Sequence, residues 1–185
     1  MRQLPLGIRI ADRAVFASFH PARNVQAFEH VRRLAGAGAS GFAWLCGPPG
    51  SGKTHLLQAA CVQASETLRA GYFPLAELAS LGPEVLEGLP QLDCVCLDDV
   101  DAVASRPDWE RALFGVYREV EERGGRLLAA AQAPPALLPW KLADLGSRFA
   151  ASAVFQLREL DEDEQLEALR LRAQVRGFDL LVLVE

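Results

Sequence analysis

Residues 42–54 join a short apolar run to a glycine-rich loop, and this arrangement restricts the possible folds more than any other feature of the chain. The run Phe42–Cys46 leads directly into Gly47-Pro48-Pro49-Gly50-Ser51-Gly52-Lys53-Thr54, which has the spacing G-x-x-x-x-G-K-[ST]. A helix-compatible stretch with one apolar face follows from His55. Strand, loop and helix in this order predict a phosphate-binding loop, because glycines let backbone N–H groups turn inward and a helix N-terminus attracts anions.

The loop predicts a nucleotide ligand, ADP or ATP, together with Mg²⁺, and the sequence leaves open which nucleotide is bound. Lys53 is expected to reach the β- and γ-phosphate oxygens, and Thr54 is expected to hold the metal. The remaining predicted nucleotide contacts of this segment are Gly47, Pro48, Pro49, Gly50, Ser51, Gly52 and His55.

Two aspartates follow a second apolar run, Cys94-Val95-Cys96-Leu97. Asp98 is predicted to support the metal, and Asp99 to orient or activate an attacking water. In isolation such a pair could equally begin a turn or cap a helix. A third run ends in Gln132, a candidate reader of the γ-phosphate, although a glutamine before two prolines is also ordinary for a loop.

Apolar runs alternate with helical patterns along the chain, which predicts βαβ units and a mainly parallel sheet covered by helices on both faces. A length of 185 residues, half of them apolar, suits one domain. The expected strands lie at 42–46, around 72–73, and at 94–97, 127–131 and 154–157. The expected helices are 53–64, 108–122, and a long one opening at Asp161–Glu164 with Leu166, Leu169 and Val175 on one face.

Composition excludes several classes of protein. No apolar run of about 18 residues and no basic-then-apolar N-terminus is present, so neither a membrane span nor a signal peptide is supported and a cytoplasmic location is expected. The net charge of −5 lacks the basic footprint of a protein that binds DNA directly, so DNA contact is expected only through partners. Four cysteines inside apolar runs are expected to be buried free thiols.

These elements in this order, followed by Asp144-Leu145-Gly146-Ser147-Arg148-Phe149, resemble the AAA+ ATPases of replication initiation, and more closely the Hda-like, DnaA-related family. The resemblance runs from about Gln3 to Asp179. It implies a three-layer αβα P-loop fold with a five-stranded sheet in the order 5-1-4-3-2. It also implies that the segment 16–24, with Phe19 and Asn24 as site residues, packs around the adenine base.

Arg148 occupies the place of the family's arginine finger, which acts in trans on a neighbouring subunit. A planar, permanently charged guanidinium suits that role, because charge spreads over a transferred phosphoryl group. The alternative is an exposed arginine paired with Asp144 one helical turn back.

The resemblance divides the chain into three parts. Residues 1–12 are expected to be a tail in which Gln3, Leu4 and Leu6 bind the DNA polymerase sliding clamp. Residues 13–178 are expected to form the AAA+ core. Residues 179–185 lie where the family continues into a helical lid with a second sensor arginine, so the lid is expected to be missing.

The resemblance implies a nucleotide-binding regulator of replication initiation that, tethered to the clamp, stimulates hydrolysis of ATP bound to the initiator DnaA. Its own turnover is expected to be weak or absent. Two alternatives remain from the sequence: an autonomous P-loop ATPase of the helicase-loader or initiator type, and an interaction module whose nucleotide is structural. Self-association is left open.

Overall fold

Strands and helices alternate along the chain, and the strands form one sheet with helices packed on both faces. The computed structural model describes residues 14–177. Within that range the strands are β1 (Gly41–Cys46), β2 (Ala70–Pro74), β3 (Cys94–Asp98), β4 (Arg126–Ala131) and β5 (Ala153–Gln156). The α-helices are α1 (Val25–Leu34), α2 (Lys53–Ser65), α3 (Leu75–Leu78), α4 (Pro107–Glu122), α5 (Ala143–Ala150) and α6 (Glu162–Val175).

The strands form one sheet in the order β2-β3-β4-β1-β5, with every neighbouring pair parallel. Read from the other edge, this is the predicted order 5-1-4-3-2. Cys46 at the end of β1 pairs with Ala131 of β4 and with Gln156 of β5. The loops that follow β1 and β4 therefore leave the sheet side by side at its carboxyl edge, where ligands of open α/β sheets bind.

Side-chain alternation along the strands divides the core into two layers. Trp44 and Cys46 of β1 face the side covered by α4 and α5, where Trp109 and Phe149 are also buried. Leu45 faces α1 and α2 on the opposite side. Because the period of a strand is two, each buried strand contributes to both layers, and its central residues are apolar.

The helix ends follow local sequence signals. α4 begins with Pro107 at its first position, where the missing N–H is not needed. α6 begins at a capping box, in which the Asp161 side chain accepts from the Glu164 backbone N–H and the Glu164 side chain accepts from that of Asp161. The predicted apolar face of α6 is wrong: Leu169 is 55% exposed, and Ala168 and Ala173 are the buried residues instead, because small side chains let the helix lie close to the segment 16–18.

All four cysteines are buried free thiols, as expected. Within residues 14–177, no helix is both long enough and apolar enough to cross a membrane.

Candidate functional site

A cavity of about 690 Å³ opens at the carboxyl edge of the sheet, above the glycine-rich loop. Its wall comes from the loop, the N-terminal segment, the ends of β3 and β4, and α6. Eight predicted site residues line it: Pro49, Gly50, Gly52, Lys53, Thr54, His55, Asp99 and Gln132. The other lining residues are Ala14, Ser18, Gln58, Arg172, Val175 and Arg176. The predicted residues Gly47, Pro48, Ser51, Phe19, Asn24, Asp98 and Arg148 lie outside this wall.

Two glycines shape the loop. Gly52 has a φ of 96°, and a Cβ added there would lie 2.8 Å from Cε2 of Phe19. Gly47 has a φ of 151°, and a Cβ there would lie 2.6 Å from the carbonyl oxygen of Leu157. Both positions therefore combine a backbone conformation that disfavours other residues with a close approach that leaves no room for a side chain.

The loop holds polar groups that a polyphosphate would use. The buried Lys53 donates from Nζ to the carbonyl oxygens of Gly47 (2.7 Å) and Pro48 (2.9 Å), and an ammonium group has a third proton to donate. Within the described residues, the buried Ser51 hydroxyl has no hydrogen-bond partner. The residues present therefore fit a phosphate-bearing ligand, since a buried polar group without a partner is energetically unfavourable.

The main chain around Gln132 is attached to the same loop. The Gly47 N–H donates to the Gln132 carbonyl at 3.2 Å, and the indole N–H of the fully buried Trp44 donates to the Ala133 carbonyl at 3.1 Å. These two bonds hold the end of β4 beside the loop. The exposed Gln132 side chain thus lines the cavity, where it was predicted to lie.

The two aspartates differ in position. Asp98 ends β3 and is 1% exposed. Its Oδ2 accepts from the Tyr72 hydroxyl at 2.8 Å, and its Oδ1 accepts from the Asp99 N–H at 3.0 Å. Asp99 adopts the left-handed conformation, with φ 53° and ψ 46°, and it lines the cavity. Asp98 therefore lies behind Asp99, and Asp99 is the carboxylate that faces a ligand.

Electrostatics distinguish Asp99 further. Burial raises its pKa above the ordinary value, and the nearby charges of Asp98 and Asp101 raise it again, whereas Lys53 lowers it. A carboxyl group with a raised pKa is a better proton acceptor than an ordinary one, which suits a group that orients or activates water. Carboxylate oxygens and the Thr54 hydroxyl are also the ligand types that Mg²⁺ prefers.

His55 links three elements at the cavity wall. Its Nε2 lies 3.1 Å from the Val15 carbonyl oxygen and 3.2 Å from the Ser18 hydroxyl, and its Nδ1 lies 3.4 Å from Nη2 of Arg172. A carbonyl only accepts, so these partners assign the proton to Nε2 and leave Nδ1 to accept from Arg172. Burial lowers the pKa of His55, the bond to Val15 opposes this shift, and Arg172 adds to it.

The two predicted adenine contacts are engaged elsewhere in the protein. Phe19 is buried and stacks on Phe28, with ring centroids 5.6 Å apart and planes 8° apart. The Asn24 amide donates to the Arg158 carbonyl and accepts from the Arg158 N–H, each at 2.9 Å. Phe19 thus supports Gly52 from below and Asn24 holds the segment before α6, so neither side chain lines the cavity.

Arg148 lies on α5, away from the cavity wall. Its Nη1 donates to Oε2 of Glu121 at 2.9 Å, and its guanidinium lies 5.4 Å from the Phe114 ring centroid and 5.7 Å from that of Tyr117. In the described part of the chain, its ion pair is therefore with Glu121 of α4 rather than with Asp144. The side chain is 37% exposed.

The sequence prediction omitted the contribution of α6, whose Arg172 and Arg176 line the cavity. Their spacing of four residues shows only that they share a helical face; it does not show which part of the protein that face meets. The predicted clamp-binding residues Gln3, Leu4 and Leu6 lie outside the described residues.

Solved structures with a similar fold include DnaA and the DnaC helicase loader. Domain III of DnaA from Thermotoga maritima is 22% identical with a TM-score of 0.76, over 93% of this chain and 78% of that one. AMPPCP-bound DnaA from Aquifex aeolicus is 21% identical with a TM-score of 0.76, over 94% and 58%. The DnaC helicase loader is 18% identical with a TM-score of 0.58, over 82% and 99%.

The sheet order and these neighbours show that the chain has the AAA+ P-loop NTPase fold. No family model matches the sequence. The chain spans 58% of the length of the AMPPCP-bound DnaA chain. It spans 52% and 57% of two further replication-initiation chains that it matches.

Proposed function

We propose that this chain binds ADP or ATP with Mg²⁺ in the cavity at the carboxyl edge of the sheet. The observation that carries the proposal is the convergence of Lys53, Thr54, Asp99 and Gln132 from three parts of the chain on one cavity of about 690 Å³. Lys53 and the loop N–H groups hold the phosphates, and Thr54 holds the metal, with Asp99 as the carboxylate that faces it. The nucleotide would supply a phosphoanhydride bond that Asp99 and Gln132 face.

The biological role proposed is regulation of DNA replication initiation. The chain is tethered to the DNA polymerase sliding clamp through Gln3, Leu4 and Leu6, and it stimulates hydrolysis of ATP bound to DnaA. The DnaA and DnaC neighbours support a replication role through fold alone, since their identities are 18% to 22%. The resemblance of the segments around Lys53 and Arg148 to the DnaA-related regulators supports the finer role.

Arg148 is the residue that acts on the partner. Because it lies on α5, outside the cavity of its own chain, its guanidinium is available to a nucleotide bound by another subunit. To reach it, Arg148 exchanges its ion pair with Glu121 for phosphate oxygens. An exposed ion pair contributes about 0–1 kcal/mol, so this exchange is energetically accessible.

The test is hydrolysis of DnaA-bound ATP in the presence of clamp loaded on DNA. Arg148→Ala should lower the stimulated rate by at least about 100-fold, since arginine fingers contribute factors of about 10³–10⁵. Arg118→Ala is the matched control, because Arg118 forms a similar exposed ion pair with Glu122 on α4. Full stimulation by Arg148→Ala would overturn the proposed role. Changing Gln3 and Leu4 to alanine should abolish the clamp-dependent stimulation of this hydrolysis.

Autonomous ATP hydrolysis is the second candidate function, favoured by the position of Asp99 and Gln132 at the cavity wall. Phosphate release by the isolated protein separates the two candidates. Brisk turnover that is lost in Lys53→Ala would favour an ATPase of the helicase-loader type, whereas negligible turnover with full stimulation of DnaA would favour the regulator.

A further inference from the structure

Tyr72 places a buried hydroxyl group at the carboxyl edge of the sheet, behind the cavity. It lies on β2 opposite Cys96 of β3, and Asp98 is two residues further along β3, on the same face of the sheet. Tyr72 is 8% exposed, and its hydroxyl donates to Oδ2 of Asp98 at 2.8 Å. This bond joins the side chains of two neighbouring strands.

Gln58 extends the contact to the helix that follows the glycine-rich loop. It is buried and lines the cavity, and its side chain hydrogen-bonds that of Tyr72. A hydroxyl has one proton to donate. Because Tyr72 donates that proton to Asp98, the Gln58 amide is the donor to the hydroxyl oxygen. Gln58 also lies four residues after Thr54 and so shares a face of α2 with it.

The Tyr72 hydroxyl keeps its proton at neutral pH. Burial raises the pKa of Tyr72, the charge of Asp98 and its bond to the hydroxyl raise this pKa further, and the bond from Gln58 lowers it. An ordinary tyrosine ionises only at about pH 10, so the phenol remains a donor. Asp98 is 1% exposed, and a buried carboxylate needs such donors because it has lost its hydration.

The bond fixes the orientation of the Asp98 carboxylate. The terminal torsion of an aspartate has a broad preference, so the group is free to rotate when Oδ2 has no partner. With Oδ2 held by Tyr72, Oδ1 is directed at the Asp99 N–H, from which it accepts at 3.0 Å. Asp99 has the left-handed conformation, which is unfavourable for most residues. The Tyr72 hydroxyl therefore supports the turn that sends the Asp99 side chain into the cavity.

We propose that Tyr72 is a positioning residue for Mg²⁺ binding and acts through Asp98 and Asp99. This inference rests on the proposed nucleotide function, in which Thr54 holds the metal and Asp99 faces it. Gln58 ties Tyr72 to the helix that carries Thr54, so the two groups that meet the metal are held at a fixed separation. Tyr72 itself does not line the cavity, so loss of its hydroxyl affects metal binding rather than contacts with the nucleotide.

Mn²⁺ binding to the full chain with ADP bound, followed by electron paramagnetic resonance, tests the inference. Mn²⁺ is the probe because it prefers the same oxygen ligands as Mg²⁺. Tyr72→Phe removes the hydroxyl and keeps the ring, and it should weaken Mn²⁺ binding by about tenfold, the effect of one lost hydrogen bond to a charged group. In the absence of metal, the ADP affinity of this variant should equal that of wild type.

Tyr117→Phe is the matched control. Tyr117 is also buried, and its hydroxyl donates to the Arg148 carbonyl at 3.4 Å, away from the cavity wall. This variant should bind Mn²⁺ like wild type. If Tyr72→Phe does not fold, Gln58→Leu takes its place, because it keeps the hydroxyl and removes its donor; it should also weaken Mn²⁺ binding.

Two results would overturn the inference alone. One is unchanged Mn²⁺ affinity in the folded variant. The other is a loss of ADP affinity without metal as large as the loss of Mn²⁺ affinity, since that result indicates a purely structural role. If wild type binds no ADP, or Lys53→Ala binds ADP as well as wild type does, the proposed function fails and the inference fails with it.

Discussion

Adjacent aspartates have different environments here because the backbone changes direction between them. Asp98 continues β3 and is held beneath the cavity by the Tyr72 hydroxyl. Asp99 adopts a left-handed conformation, which aspartate tolerates better than most residues. This single turn of the chain sends one carboxylate into the protein and the other into the cavity.

The pKa of Asp99 should depend on Lys53. Lys53 lowers this pKa, against the effects of burial and of Asp98 and Asp101, so Lys53→Ala should raise it further. Carboxyl ¹³C chemical shifts followed against pH measure the change. Asp93, whose pKa is lowered to about 2 by its bonds to Arg69, serves as the internal control and should not move. An unchanged Asp99 titration would contradict the assigned electrostatic effect of Lys53.

Acid should destabilise the fold partly through His55. Its pKa in the folded state lies below 6.5, the ordinary value for histidine, so folding favours the neutral ring. Stability from this source is fully present above pH 6.5 and is lost as pH falls below it. Urea unfolding between pH 8 and 5 should show a smaller loss for His55→Gln than for wild type. The pKa of His30 is also lowered by burial. Because both proteins contain His30, its contribution to the pH dependence cancels in the comparison.

Elements on the α4 side of the sheet are joined by a buried carboxylate. Glu110 of α4 is 0% exposed and accepts from the backbone N–H groups of Ser105 (2.7 Å), Lys141 (3.0 Å) and Leu142 (2.6 Å). It therefore ties the start of α4 to the start of α5, the helix that carries Arg148. In this way the position of an exposed arginine depends on a residue in the core.

Glu110→Ala should lower the free energy of unfolding by roughly 3–5 kcal/mol, because it leaves buried N–H groups without partners and opens a cavity. Denaturant unfolding measures the loss. Glu119→Ala, on the exposed face of the same helix, should stay within about 0.5 kcal/mol of wild type. A loss for Glu110→Ala as small as that of the control would show that the N–H groups find other partners.

At the scale of the whole molecule, a segment early in the described range contacts the segment that leads into α6. The Asn24 amide pairs with both backbone groups of Arg158, 134 residues later, and Arg23 forms exposed ion pairs with Asp161 and Glu164. These contacts attach the N-terminal segment to the start of α6, so the two segments that line one side of the cavity are held to each other.

Asn24→Ala should reduce stability by about 1–3 kcal/mol, since two backbone groups of Arg158 lose their partners. Arg23→Ala should lose less than about 1 kcal/mol, because its ion pairs are exposed. Thermal unfolding of both variants measures the difference. Equal losses would mean that the amide contact contributes no more than an ion pair at the surface.

Local features of the chain were accessible from the sequence because they depend on neighbours in sequence. Glycines at the loop positions, apolar runs before the loop and before Asp98, and the acidic start of α6 are each decided within a few residues. The sheet order was also anticipated, although through family resemblance rather than through pattern.

Contacts between residues far apart in the chain decided which side chains α6 buries and what lies opposite its arginines. Nothing near Asn24 in sequence indicates that its amide meets Arg158, and nothing near Leu169 indicates that Ala168 and Ala173 are buried in its place. The spacing of Arg172 and Arg176 likewise defines a face but not what lies opposite it. The sequence by itself determined the glycine-rich loop and the layered sheet. Only the tertiary structure decided that α6 lines the cavity, because helix orientation depends on contacts between residues far apart in the chain.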